Sequence, residues 1–517
     1  MVSSGYDLLE LEFTFPTDHD LKFNPENYQI KRCELDGREV IYRAFENIVY
    51  CANPVSAVQK LNLYVPEVYY QGESINGYQL HTAPIFAPNT VGGYMEGPAM
   101  QVGEDYFGHK PNTAFEALYH GYVVMCAGIR GRNTGRKSNE FFVGGTNDEK
   151  STKEGMLTGR APALIVDMKA AIRYLRWNKD LVPGDVEKII TNGTSAGGAL
   201  SALAGATGNA KEYEPYLKAI GAAKARDDIF AASCYCPIHN LENADAAYEW
   251  LFEKETTCHR IKFEKTPQGV KKIAILDELD EEQKLLSKKL KAAFPSYVNQ
   301  LQLQDETGNK LTSDENGEGS FKDYVMNFVL KSATKEKKTL DSQTRLQKLA
   351  VPGSAIESQE YITFQGEEAV AIDMDSFVAK ITRMKRVPAF DSLTLECCEN
   401  EEFGDENVFA RHFTEFSMKH SKLKAEMADE EKIKLLNPIP FIENGNCDVA
   451  KNWRIRHGAF DRDTSLAIPV ILATLLQNKG YQVDFCLPWG LPHSGDYDLK
   501  ELFEWIDCLA KNQKSEK

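Results

Sequence analysis

The chain has no surplus of positive charge: 60 lysines and arginines stand against 76 aspartates and glutamates, a formal net charge of -16 at pH 7. The acids are spread along the sequence instead of gathered in a tail, so the basic footprint that nucleic acid or an anionic membrane surface requires is missing. There is no long apolar run either. The strongest, around Leu466 to Leu476, is too short to span a bilayer and is interrupted by Pro469, so no membrane partner is expected. Met1 to Asp7 contains neither the basic nor the apolar segment of a secretory leader, and a cytoplasmic location is expected. Cysteine pairs of a disulfide framework or a zinc motif are also lacking. The 11 cysteines are odd in number and scattered, many in apolar strands such as Val123-Val124-Met125-Cys126. Cys234 and Cys236 alternate along a strand and Cys397-Cys398 are adjacent, so the thiols read as free and no metal is expected.

What is present is the composition of an ordinary globular chain, with 42% apolar and 26% charged residues, which excludes disorder and fibrous architecture. A length of 517 residues allows two to four domains, or one large domain carrying an insertion. The acidic balance suits a neutral or weakly acidic small molecule as partner.

Tyr28 to Leu35 and Arg38 to Ala44 alternate in hydropathy and are joined by Asp36-Gly37, which predicts a β-hairpin. Leu61 to Val65, Ala83 to Ala87, Tyr122 to Cys126 and Lys188 to Thr191 are short apolar runs, with a helical pattern from Ala161 to Trp177 between the last two. That alternation predicts a mostly parallel twisted sheet flanked by helices. From about Asn240 the texture turns to charge-rich helical patterns such as Asp280 to Ala292, and it stays so to Asn437. Strand and helix rhythm then returns with Trp453 to His457, Thr464 to Lys479, Gln482 to Leu487 and Leu499 to Leu509. The organisation expected is therefore a core in two parts, 1–237 and 439–517, with a large, mainly helical lid, 238–438, inserted before the last strands.

Gly193-Thr194-Ser195-Ala196-Gly197 matches G-x-S-x-G, directly after the buried run Lys188 to Thr191 and directly before the small-residue helical start Ala199 to Leu203. A serine on so tight a strand-to-helix turn has its hydroxyl exposed above the sheet, and glycines on either side avoid collisions there. This is the nucleophile elbow of an α/β-hydrolase. A hydroxyl needs a base to take its proton, and the fold supplies acid and base downstream in that order. His493, in the loop Trp489 to Gly495 after the strand Gln482 to Leu487, is the candidate base. The acid is Asp461 or Asp463, in the loop after Trp453 to His457; one of the two could instead cap the helix near Thr464. His457 reads as a packed neighbour. The oxyanion hole would use the amide of Ala196 and one from Pro88 to Tyr94, where Gly93 is preferred to Gly92.

These residues resemble bacterial tannases, the tannin acyl hydrolases. The resemblance is carried by Asn192 to Gly198, by Asn89 to Tyr94, by Trp453 to Asp463 with its Arg-His-Gly and Asp-Arg-Asp, and by Leu487 to Gly490 leading to His493 to Asp498. It implies an α/β-hydrolase with an inserted lid that hydrolyses galloyl esters without a cofactor, and it implies Asp461 as the acid. It further implies that Lys385, Glu399 and Asp463 grip the three ring hydroxyls of the substrate, a small phenolic ester. Fungal tannases and feruloyl esterases place cysteines beside the serine and histidine; here Thr194 and Pro492 stand there, which favours the bacterial type. The fold alone leaves room for a feruloyl or carbohydrate esterase, a prolyl-oligopeptidase-like peptidase, or an inactive hydrolase-like binding protein.

Overall fold

The computed structural model describes residues 19–105, 110–136, 156–266, 269–339 and 350–512. Met1 to Asp7 lies outside them. In chain order the strands are β1 (Gln29–Leu35), β2 (Arg38–Val49), β3 (Lys60–Pro66), β4 (Pro84–Pro88), β5 (Val123–Ala127), β6 (Asp185–Thr194) and β7 (Ala231–Tyr235). They continue with β8 (Thr257–Thr266), β9 (Gly269–Glu278), β10 (Ile362–Gln365), β11 (Glu368–Ile372), β12 (Asn452–Arg456) and β13 (Gln482–Cys486). Nine of them form one sheet in the order β1-β2-β3-β5-β4-β6-β7-β12-β13.

The predicted hairpin is present. Asp36 and Gly37 both take positive φ, 51° and 68°, the combination a two-residue turn needs to match the twist of β1 and β2. β1, β2 and β3 run antiparallel, and β3 pairs antiparallel with β5. From β5 to β13 the pairings are parallel. β4, β5, β7 and β12 are buried at every position, as strands covered on both faces must be; the first three therefore read as apolar runs instead of alternating ones, while β12 buries Arg454 and Arg456 by pairing them with Asp498 and Asp484. The helix Ala163–Trp177 packs on the helix Ala196–Ala206, and Thr113–His120 packs on Leu499–Asn512. This is the α/β-hydrolase architecture.

Between β7 and β12 the chain adds no described strand to the large sheet; its strands there form the separate hairpins β8–β9 and β10–β11. The helix predicted at Asp280 to Ala292 runs over Glu281–Gln300, with Asp280 as its cap and Gln283 closing a capping box. β8–β9 replaces the helical pattern expected there. Arg260 on β8 donates to Asp277 on β9 at 2.7 Å, and a cross-strand pair of this kind helps a polar segment form a ribbon. Among the described residues no helix is long and apolar enough to cross a membrane.

Candidate active site

Ser195 has φ 64° and ψ -124° at the junction of β6 and the helix Ala196–Ala206. The strain of that turn is held from both sides: the Ser195 amide donates to Tyr235 O (2.9 Å), and the Ser195 carbonyl accepts from Ile238 N (3.2 Å). A Cβ on Gly193 would lie 2.3 Å from Asn89 Nδ2, and one on Gly197 2.4 Å from Asn89 Oδ1, so only glycine fits at either position. Asn89 sits there because its Nδ2 donates to the carbonyls of Asn192 and Gly197, both at 3.0 Å. It thereby fixes the loop of Gly93 against the elbow. Gly93 takes φ 54°, and its carbonyl accepts from Arg132 Nε at 2.7 Å. Ala196 opens the helix, so its amide is among those a first turn leaves unpaired.

The candidate acid and the candidate base come from two loops that are bonded to each other. Ala459 N donates to Pro488 O and Phe460 N to Leu491 O, each at 3.0 Å. A Cβ on Gly458 would meet Leu491 O at 2.1 Å, so the loops close on that glycine. His493 Nδ1 then lies 2.7 Å from Asp461 Oδ2. With Nδ1 engaged, the lone pair that can take a proton is on Nε2. The loop is carried to the nucleophile by Gly495, whose absent Cβ would fall 1.8 Å from Thr194 Oγ1. Beyond it, Asp496 accepts from Asn192 Nδ2 (2.9 Å) and Thr113 Oγ1 (2.6 Å), and Asp498 accepts from Tyr235 OH (2.5 Å).

The choice between Asp461 and Asp463 is made by burial and direction. Neither caps the next helix, which begins at Ala467 after Leu466. Asp461 is fully buried and faces His493, and its Oδ1 accepts the Asp463 amide at 2.8 Å. Burial opposes its charge, but His493 and His457 hold its carboxyl well below the usual carboxylate range. For His493 burial disfavours the imidazolium, and Asp461 and Asp463 outweigh this and raise its pKa well above the ordinary histidine value. His457 packs beneath, its Nδ1 3.6 Å from Asp461 Oδ2.

Comparison with solved structures gives a match along nearly the whole chain. The tannin acyl hydrolase from Lactobacillus plantarum is 45% identical with a TM-score of 0.83, covering 95% of this chain and 99% of that one. The chain belongs to the tannase family. Fusobacterium nucleatum tannase is 44% identical with the same TM-score of 0.83, over 95% of this chain and 100% of that one. A tannin acyl hydrolase solved in complex with ethyl gallate is 46% identical at a TM-score of 0.82, over 95% and 99%. The family model described as BD-FAE matches residues 154–255. Esterase LipC of Mycobacterium tuberculosis is 48% identical over 58 residues, a match that takes in 11% of this chain and 14% of that esterase. The protein is a carboxylic ester hydrolase.

The three residues that the tannase resemblance singles out for the ring come together. Lys385 Nζ is 4.0 Å from Asp463 Oδ1 and 3.8 Å from the centre of the Phe390 ring. Burial works against the ammonium, but Glu399 and Asp463 outweigh it and raise its pKa. Several supports were not visible in the sequence. Tyr248 OH accepts from the amides of Met384 (3.2 Å) and Lys385 (3.1 Å) and donates to Arg462 O (3.0 Å), tying the lysine to the loop of Asp461 and Asp463. Arg383 donates through Nε to Lys385 O (2.8 Å) and is ion-paired with Glu249, both fully buried. Arg132, which holds Gly93, is also ion-paired with Glu401, two residues from Glu399. Asn89 had a detectable signal, a polar residue directly after a buried strand. The others depend on contacts between distant segments.

Proposed function

We propose that the protein hydrolyses galloyl esters through Ser195, His493 and Asp461. His493 Nε2 takes the Ser195 proton as the hydroxyl attacks the galloyl carbonyl, and Asp461 orients the imidazole and stabilises the imidazolium. The amides of Ala196 and Gly93 receive the oxyanion. The imidazolium returns its proton to the departing alcohol, leaving a galloyl-enzyme. Water then attacks that ester with His493 as base, and gallic acid leaves. Lys385, Glu399 and Asp463 meet the three phenolic hydroxyls, for which a carboxylate is a strong acceptor and an ammonium a donor.

The observation that carries the reading is the loop 461–463, which presents one carboxylate to His493 at 2.7 Å and another toward Lys385 at 4.0 Å. Solved relatives in complex with ethyl gallate and with 3,4-dihydroxybenzoate support a phenolic substrate. The test compares kcat/KM on methyl gallate and methyl ferulate. A strong preference for gallate, abolished in a folded Ser195→Ala variant, is expected, and mass spectrometry of a quenched reaction should show galloyl on Ser195. A preference for ferulate would remove the galloyl reading.

A further inference from the structure

Behind the carboxylate that orients His493 lies a set of groups that the hydrolytic mechanism does not use. Cys236 follows β7 in a left-handed conformation, φ 42°, and its amide donates to Arg456 O at 2.7 Å. That bond sets the cysteine beside the end of β12, where His457 begins the loop to Asp461. The Cys236 thiol donates to Ser494 O at 3.3 Å. His457 is fully buried, neither of its ring nitrogens makes a hydrogen bond of ordinary geometry, and the Cys236 thiol and the Asp461 carboxylate face it. A sulfur of Cys236, a ring nitrogen of His457 and a carboxylate oxygen of Asp461 all lie within 4.8 Å of one another, and all three residues are buried. Among the described residues, one other group of three or more potential ligands is as tightly spaced: Asp461, Asp463 and His493.

We infer that Cys236, His457 and Asp461 form a binding site for a divalent cation of the zinc class, and that its occupancy inhibits the esterase. Thiolate, imidazole and carboxylate make up a zinc donor set, and the thiolate disfavours magnesium and calcium. In a tetrahedral site with bonds of about 2.0–2.1 Å, an imidazole nitrogen and a carboxylate oxygen stand roughly 3.3–3.5 Å apart. The 3.6 Å between His457 Nδ1 and Asp461 Oδ2 needs only a small contraction to reach that edge. Cys234 and Cys236 lack the spacing of a metal motif because the partners of Cys236 come from the neighbouring strand's end, not from its own.

Binding replaces the S–H bond of Cys236 by a sulfur–metal bond and releases one proton to water, while His457 binds neutral and Asp461 binds already ionised. The oxygen engaged is the one His493 Nδ1 faces at 2.7 Å. A cation there cancels the charge that orients the imidazole, so proton transfer from Ser195 is lost. Only this effect on turnover depends on the role proposed for Asp461; the binding itself does not.

The test uses cobalt(II) and zinc(II) on the full chain, compared with Cys236→Ser. One equivalent of Co2+ is expected to give the near-ultraviolet thiolate-to-cobalt band in the native protein and none in the variant. Zn2+ is expected to inhibit hydrolysis of a simple aryl acetate, a substrate without the vicinal phenols that chelate metals. The half-inhibiting concentration should rise by more than about 10-fold in the variant, the least that loss of even an outer partner of a metal site costs. His457→Gln, which keeps a neutral polar side chain in the same space, gives an independent second variant should Cys236→Ser fold poorly: it retains the thiolate, so its readout is zinc inhibition alone, which should weaken in the same way. No cobalt band, a band that survives Cys236→Ser, or equal zinc inhibition of native protein and variant overturns the proposal.

Discussion

Replacing Arg383 with methionine removes one half of an ion pair in which both residues are fully buried. Glu249 keeps the hydroxyl of Ser287 on its other oxygen but loses its countercharge. Stranding a buried carboxylate in this way costs about 3–5 kcal/mol. The guanidinium also serves Lys385 O at 2.8 Å and Phe252 O at 3.2 Å, and each buried carbonyl left short adds about 1 kcal/mol. The loss expected is about 5–7 kcal/mol, read as a fall in the urea midpoint at pH 7 with little change in slope. The double variant Glu249→Leu/Arg383→Met should lose much less, because no charge is then left unpaired. A drop below about 1 kcal/mol for the single variant, or an equal drop for the double, would refute the reasoning. Since Arg383 also anchors the Lys385 backbone, the single variant should lose more activity on methyl gallate than on an aryl acetate where both are measured well below its unfolding temperature.

Lys385→Met and Glu399→Gln are expected to reduce kcat/KM on methyl gallate by about 10–100-fold, the value of a charged hydrogen bond, and to affect an aryl acetate far less; equal losses on both would mean that neither residue meets the ring. Asp461 and Asp463 raise the pKa of His493, and the base must be neutral, so turnover falls as pH drops through that raised value. Asp463→Asn removes one of the two charges and should move the acid limb of the aryl acetate profile to lower pH; an unchanged or alkaline-shifted limb contradicts this. Gly495→Ala would place a Cβ 1.8 Å from Thr194 Oγ1 and push the loop of His493 off the nucleophile. A displacement of that order costs about 100-fold in kcat, with thermal stability close to that of the native chain.

The hairpin at Asp36-Gly37, the buried parallel strands and the nucleophile elbow were legible because each is decided within a few neighbouring residues. The acid was not. Asp461 and Asp463 lie in the same loop with the same side chain, and only the full burial of Asp461 against His493 separates them, a fact set by a second loop thirty-odd positions away. Lys385 and Glu399 entered through the family resemblance; their local sequence is that of solvated charge, and the packing of Lys385 against Phe390 and Asp463 comes from distant segments. β8–β9 was misread as helix because its lysines and glutamates favour helices, and the pairing partner that makes them strands does not show in a single segment. Cys236 and His457 are remote in sequence and adjacent in space, so no spacing rule joins them.

The Tyr248 hydroxyl accepts from the two amides at Met384 and Lys385 and donates to the carbonyl at Arg462. Under the proposed function, ring recognition and the acid of the triad therefore share one pivot. A substitution that shifts the lysine to suit a different phenol would pull on the peptide between Asp461 and Asp463 as well. Selectivity in this enzyme should be hard to alter without also altering rate, and variants that escape this coupling should be those that change the 248 hydroxyl itself.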